Sequence, residues 1–139
     1  MNTAWRVWDG EGRMYYWNDL GMSLEITGDK WFLWHSWGDG SRAKVVESDD
    51  KGAALMWHIG SLDKNNKAIY EKDIDMLDEE PMIVVYENGH YGLKFHDDSA
   101  YFDDSVDWEE CDIGGNVWRV RSENTQKDRE SHRRSVNTL

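Results

Sequence analysis

Acidic residues between positions 97 and 112 form the densest group of chemically active side chains in this chain. The stretch holds eight carboxylates and no lysine or arginine. Carboxylates on a firm support accept charge-assisted hydrogen bonds from the same arginines and lysines that grip a nucleic-acid backbone, and aromatic rings among them can anchor a partner. The predicted partner-binding residues are Asp97, Asp98, Asp103, Asp104, Asp107, Trp108, Glu109 and Glu110.

Two other interpretations of this stretch stay open. A run of carboxylates in a solvated loop can serve solubility alone. It can also hold a cation, but the calcium-loop pattern Asp-x-Asp-x-Asp-Gly with a distal glutamate is missing. Further acidic residues earlier in the chain would extend a binding surface: Asp73, Asp75, Asp78, Glu79 and Glu80.

A second candidate site consists of three tryptophans at intervals of three, Trp31, Trp34 and Trp37. Exposed indole rings stack on sugars, bases or guanidinium groups, so this set predicts a ligand-stacking platform. Strand side chains alternate between faces, and at least one of the three should therefore point outward or into a neighbour. The alternative is that a chain with nine tryptophans uses these large rings to fill its interior.

The remaining reactive side chains match no catalytic or metal-binding pattern. The five histidines have neither the i, i+4 spacing nor the cysteine pairing of a zinc site. The single cysteine, Cys111, has acidic neighbours that disfavour its thiolate, and it excludes an intrachain disulfide. No nucleophile elbow or phosphate-binding glycine loop is present. We therefore expect an inert thiol, no catalysis, no metal and no cofactor.

The distribution of charge along the chain indicates which kind of molecule the protein binds. The 139 residues carry a net charge of −12; residues 121–139 contribute +2, and the first 120 residues therefore carry −14. Such a field repels phosphate backbones and attracts basic surfaces, which predicts a basic protein as partner and no direct binding of nucleic acid. The sequence has no apolar run near 18 residues and no signal-peptide pattern, so we expect a cytoplasmic protein without membrane contact.

Short β-strands must position these candidate residues. Segments rich in aromatic and β-branched residues, bounded by turn formers, predict strands. Asn88-Gly89 predicts a two-residue type I′ hairpin turn. Helical turns are expected only within 71–80 and 104–112. The predicted strands span residues 5–8, 14–17, 24–26, 31–34, 44–46, 55–59, 82–86, 91–95 and 117–120.

Many short strands at this spacing favour a mostly β, barrel-like fold of antiparallel strands with little helix. The length suits one core, and we predict a single domain over residues 1–121. Residues 122–139 contain almost no apolar side chain before Val136, so a flexible basic tail is expected there.

The segment from Gly60 to Ile74 carries a family resemblance. It combines a polar turn at 63–66, an apolar anchor at Ile69-Tyr70 and a second turn at 71–73. This order resembles the run "T-G-L-x-D-x-N-G-K-x-I-Y-E-G-D-I-V" of the YopX family of phage and prophage proteins. Residues 5–16 and 112–118 are similar to the opening and closing blocks of that family.

The resemblance has two departures that matter for the backbone. Asn66 and Lys72 stand where the family's two turns have glycine, and both residue types tolerate a positive φ at small cost. The family implies a phage or prophage origin and supplies no established activity to transfer to particular residues.

Together these patterns predict a non-catalytic, phage- or prophage-encoded module that binds a basic protein through its acidic face. A nucleic-acid-handling host factor, such as a defence nuclease, is the expected target, inhibited or regulated by mimicry of nucleic acid. One alternative is a module that binds a glycan or small molecule through the rings at 31, 34 and 37. Another is a structural phage component that self-assembles, because exposed strand edges favour homo-oligomers.

Overall fold

The structure is a computed structural model that describes residues 3–97 and 100–120, in which thirteen strands and one short 3₁₀ helix are present. Two compact units divide the chain, the first ending at Ser61 and the second beginning at Leu62. The prediction of a single domain over 1–121 stays a prediction. The predicted tail, 122–139, lies outside the described residues.

The first unit contains two antiparallel sheets. One has the order β2-β1-β6, with Val7 of β1 opposite Tyr15 of β2 and Leu55 of β6. The other has the order β3-β4-β5, with Leu33 in its central strand. The strands are β1 (Trp5–Trp8), β2 (Met14–Tyr16), β3 (Met22–Thr27), β4 (Lys30–Ser36), β5 (Arg42–Glu47) and β6 (Ala54–Leu62).

The core of the first unit is a cluster of Trp5, Val7, Leu33 and Val46, all at most 8% exposed. Trp5 and Val7 stand at alternate positions of β1, which places them on one face of their sheet, and Leu33 lies directly opposite Val46 in the other sheet. Burying each of them contributes about 1.5–3 kcal/mol, so this cluster is the main stabilising feature of the first unit.

The second unit contains a six-stranded antiparallel sheet of order β11-β10-β9-β8-β12-β13. Val84 of β9 lies opposite Leu93 of β10, and both are buried. The strands are β7 (Ala68–Tyr70), β8 (Asp73–Asp75), β9 (Met82–Glu87), β10 (His90–Phe95), β11 (Phe102–Asp103), β12 (Ile113–Asn116) and β13 (Arg119–Val120), and the 3₁₀ helix spans Trp108–Glu110.

The hairpin between β9 and β10 is the turn that the sequence predicts. Asn88 and Gly89 have φ of 53° and 84°, the two positive values that a type I′ turn requires. The turns of the signature segment also behave as expected, because Asn66 and Lys72 have φ of 62° and 70°. The backbone at Asn66 and Lys72 therefore adopts the left-handed conformation at positions where the family has glycine.

Two element predictions were wrong. Residues 73–75 form strand β8 instead of a helical turn, although a 3₁₀ turn does form at 108–110 within the predicted 104–112. The predicted strand at 117–120 is instead a turn at 117–118 followed by β13. Strand propensity did not predict β12, because Gly114 and Gly115 are poor strand formers, or β8, because aspartates make up two of its three residues; only the family resemblance indicated strands there.

The fold class is confirmed. The described chain is nearly all β, with antiparallel sheets that include a half-barrel and with very little helix. Among the described residues, no helix has the length and apolar character needed to cross a membrane.

Candidate protein-binding surface of the second unit

The turns of the signature segment are built around Asp63, a buried carboxylate. Its Oδ1 accepts hydrogen bonds from the backbone N–H groups of Asn65 and Lys67 at 2.8 and 2.9 Å. Its Oδ2 accepts one from Ile113 N–H at 3.0 Å, which ties the turn to β12. Burial alone would raise the pKa of Asp63, but the three N–H donors outweigh it and hold the pKa below its ordinary value.

Asp73 and Asp75 also use their carboxylates to hold the backbone. Asp73 accepts a hydrogen bond from Tyr70 N–H at 2.8 Å. Asp75 Oδ1 accepts from Leu77 N–H at 3.1 Å and from Asp112 N–H at 2.9 Å. Both side chains are buried, so the expectation that they extend the exposed acidic surface is wrong.

Cys111 lies close to these buried carboxylates. Burial raises the pKa of its thiol from 9.0 to about 12, and the charges of Asp75, Asp63 and Asp107 act in the same direction. The prediction that acidic neighbours disfavour the thiolate is confirmed, although burial is the largest cause. Since only the thiolate is a nucleophile, this thiol is inert at neutral pH.

The described members of the predicted partner-binding set follow β10 or lie in β11, in the loop after it and in the 3₁₀ helix. Asp103 is half-buried in β11 and accepts a hydrogen bond from Ser105 N–H at 3.0 Å, so it also shapes the loop. Trp108 is half-buried and presents only part of its ring. Asp98 lies outside the described residues. The exposed members are Asp97, Asp104, Asp107, Glu109 and Glu110.

Four of these exposed carboxylates have no cationic neighbour. Within residues 3–97 and 100–120, Asp104, Asp107, Glu109 and Glu110 make no ion pair and accept no side-chain hydrogen bond. Asp107 precedes the 3₁₀ helix without capping it through its side chain. All four side chains are exposed in the described part of the chain.

A groove opens beside the start of the acidic stretch. Its volume is about 430 Å³. Ile74 and Ile83, directly opposite each other on β8 and β9, form part of its lining. Tyr101 packs near its edge, with ring centroids 5.7 Å from Phe95. The lining consists of Ile74, Pro81, Ile83 and Phe95, with Glu80, His96 and Asp97 as its polar members.

Sequence reasoning missed this groove. Asp97 belongs both to the groove and to the predicted acidic surface, and Glu80 was proposed only as an extension of that surface. The available signal was the chain's single proline, Pro81, which follows three exposed acidic residues and precedes an apolar strand. This pattern predicts a turn, and a turn by itself does not predict a concave apolar surface.

The three tryptophans of the alternative site do not share a face of β4. Trp31 packs against the core cluster of the first unit. Trp34 lies on the opposite face, where the Arg42 guanidinium covers its ring at 3.9 Å and its Nε1–H donates to Glu25 at 2.9 Å. Trp37 follows the strand and is 51% exposed. The arrangement offers separate rings and no continuous platform.

In the described residues no group of three or more histidine, cysteine, aspartate or glutamate side chains has an arrangement suited to a metal ion.

Comparison with known proteins identifies the family. A family model described as "YopX protein" matches residues 4–130. The chain belongs to the YopX family. A YopX relative, the "SPbeta prophage-derived uncharacterized protein YopX" of Bacillus subtilis (strain 168), is 37% identical over 131 residues, covering 86% of this chain and 93% of the relative. The predicted resemblance is confirmed.

A solved YopX structure supports the same assignment. The X-ray crystal structure of protein YopX from Bacillus subtilis matches with a TM-score of 0.65 and 32% identity, covering 85% of this chain and 94% of the other. The signature of the YopX family includes Asp63 and Asp73, whose carboxylates hold turns in this structure. Here the signature is therefore an architectural motif of the second unit.

Proposed function

We propose that this YopX-family protein is a non-catalytic binding module, encoded by a phage or prophage, that holds a basic protein on the acidic surface of its second unit. We define the acidic surface as Asp104, Asp107, Glu109 and Glu110. The observation that carries this proposal is their exposure without any ion pair in the described chain.

The charge of the second unit supports the proposal. Residues 62–120 hold sixteen acidic and five basic side chains, a net charge of −11, whereas residues 1–61 hold nine and six, a net charge of −3. A field of this sign accelerates encounter with a cationic protein and gives its arginines and lysines charge-assisted acceptors. Surfaces that bind nucleic acid are basic, so a nucleic-acid-handling host factor, such as a defence nuclease in the host cytoplasm, is the expected target.

The test compares two matched charge reversals. Asp104→Lys with Asp107→Lys changes the acidic surface, and Glu11→Lys with Asp29→Lys changes the first unit by the same net charge. All four side chains are exposed and accept no side-chain hydrogen bond in the described chain. We therefore expect both double variants to fold like the wild type.

Each protein is immobilised and exposed to host-cell lysate at about 0.05 M and about 1 M salt, because salt screens charges over a few ångströms at the higher concentration. The captured partner is then purified, and its affinity for each variant is measured. We expect at least a tenfold weaker Kd for the second-unit variant and little change for the first-unit variant. Equal weakening by both variants, or capture that survives 1 M salt unchanged, would contradict the proposal.

A self-assembling function gives a different result. Light scattering of the wild type alone would then show a mass that grows with protein concentration, and no basic protein would be enriched from the lysate.

A further inference from the structure

We infer that the groove of the second unit receives an apolar side chain from a basic segment of the partner, with lysines or arginines on either side of that anchor. This inference rests on the proposed function, because it adds a specific pocket to an otherwise electrostatic surface. The groove is defined by Ile74, Glu80, Pro81, Ile83, Phe95, His96 and Asp97.

The lining of the groove explains why an apolar group enters it. Ile74, Ile83, Pro81 and Phe95 present hydrocarbon to the cavity, and its volume of about 430 Å³ lies within the range of concave binding sites, roughly 300–1,000 Å³. Filling it with a leucine-sized side chain would remove apolar surface from water on both molecules. Energetic anchors of protein interfaces are commonly placed in pockets of this kind.

The rim of the groove explains why the neighbours of that anchor are cationic. Glu80 and Asp97 line the groove, and no lysine or arginine does. Asp78 and Glu79 are exposed just before Glu80, which lengthens the negative edge. An acidic or phosphorylated segment would meet repulsion along this edge.

The geometry also links the groove to the acidic surface. β10 ends at Phe95 in the groove, and its partner strand β11 leads directly into the loop that carries Asp104 and Asp107. Gly92 of β10 makes this pairing possible, because a Cβ there would lie 2.5 Å from the Phe102 ring. The strand pair β10–β11 therefore connects the groove to the acidic surface, and one bound basic segment can contact both.

The first experiment uses two fluorescein-labelled peptides and the full-length wild-type protein. One peptide has the sequence Arg-Arg-Leu-Arg-Arg and the other Arg-Arg-Ser-Arg-Arg, each with glycine at both ends. Anisotropy titrations at about 0.05 M salt measure each Kd. We expect the leucine peptide to bind at least about tenfold more tightly, since burial of that side chain is what distinguishes the two peptides.

Variants of the protein then test whether the groove causes the tighter binding of the leucine peptide. Ile83→Ala should reduce the leucine-over-serine ratio toward one, while Glu80→Lys should weaken both peptides together. Leu77→Ala is the matched control, because Leu77 is an exposed apolar residue of the same unit that does not line the groove. It should leave both affinities unchanged. The peptide pair itself requires no variant, so the inference remains testable if Ile83→Ala fails to fold.

The outcomes separate this inference from the proposed function. Measurable, salt-sensitive binding of both peptides with equal affinity would overturn the groove and leave the acidic surface in place. Failure of both peptides to bind at low salt would overturn both proposals. A synthetic peptide of residues 122–139 is added as a competitor; if it displaces the leucine peptide at a lower concentration than unlabelled leucine peptide does, the groove belongs to the chain's own end. If the measured affinity for the leucine peptide falls as the protein concentration rises, a second copy of the chain occupies the groove. Either result would overturn the assignment to a partner.

Discussion

The two units of this protein use charged side chains in different ways. In the first unit, cations and carboxylates pair, as in Lys30–Asp49 at 2.8 Å and Lys44–Glu47 at 3.3 Å. Arg42 also lies over the ring of Trp34. In the second unit, Lys94 pairs with Glu87 at 3.0 Å, but acidic side chains outnumber basic ones by more than three to one over residues 62–120, so most of them cannot find a cation within that unit.

The carboxylates of the second unit fall into two classes, buried and exposed. Asp63, Asp73 and Asp75 are buried and accept backbone N–H groups, which stabilise the charged form of a carboxylate; the charge of Lys67 adds to this at Asp63. Asp104 and Asp107 remain in water. The comparison teaches that acidic composition alone does not define a binding surface, because part of it is architectural.

The largest expected effect concerns Cys111, which reports only on the second unit because the first has no cysteine. With its pKa raised from 9.0 to about 12 and its side chain buried, the native thiol should react at least about tenfold more slowly than a free thiol near pH 8. Timed reaction with Ellman's reagent, with and without denaturant, measures this. Rapid reaction of the native protein would mean that the second unit opens readily.

Removal of the Asp63 carboxylate should strongly destabilise the second unit. Asp63→Ala leaves one buried N–H group, that of Ile113, and two part-buried ones without their acceptor, a loss of about 2–3 kcal/mol in the free energy of unfolding. Urea unfolding followed by Cys111 reactivity checks it. Asp29→Ala in the first unit, an exposed carboxylate, is the control, and equal loss in both variants would remove the distinction between buried and exposed carboxylates.

Gly92→Ala should have an intermediate effect. The new methyl group would lie 2.5 Å from the Phe102 ring and collide with the Asp103 carbonyl, so β11 must shift at a cost of about 1–3 kcal/mol. Because β11 leads to Asp104, partner affinity should fall as well. Gly38→Ala in the first unit has nothing within 4 Å and a permissive backbone, and it should be neutral in both thermal unfolding and binding.

The smallest effect is a pH dependence assigned to Asp63. Its folded-state pKa is lowered, so its contribution is present above the ordinary value of 3.8 and is lost as the pH falls through the lower folded value. Asp63→Asn should therefore flatten the acid side of the stability curve measured by urea unfolding between about pH 2 and pH 5. An unchanged slope would assign the acid sensitivity to other carboxylates, such as Asp9 of the first unit, whose pKa is also lowered.

Local chemistry accounts for what sequence reasoning predicted well. Most strands of the first unit, and the β9–β10 hairpin of the second, follow from aromatic and β-branched runs bounded by turn formers. The positive φ of Asn66, Lys72 and Asn88 follows from what their own side chains tolerate. β7 and β11 were not predicted, because strands of two or three residues carry too little local signal and acquire their pairing from distant partners; propensity also did not predict β8 and β12, whose positions only the family resemblance indicated.

The candidate site was predicted only in part for the same reason. The exposure of Asp104 and Asp107 agrees with a polar stretch that has no cation beside it. The carboxylate of Asp75 accepts a hydrogen bond from a residue 37 positions away, and that of Asp63 from a residue 50 positions away, so distant strands meet at both buried groups. No local pattern distinguishes these two kinds of aspartate.

The sequence by itself determined the family, the nearly all-β class, the hairpin turn and the excess of negative charge, because each depends on residue types and short-range spacing. Tertiary structure alone decided which carboxylates are buried, how the thiol of Cys111 is surrounded, and that Ile74, Ile83 and Phe95 line one groove. Those properties arise when strands far apart in the chain pair with one another, and pairing sets burial, local dielectric and hydrogen bonding together.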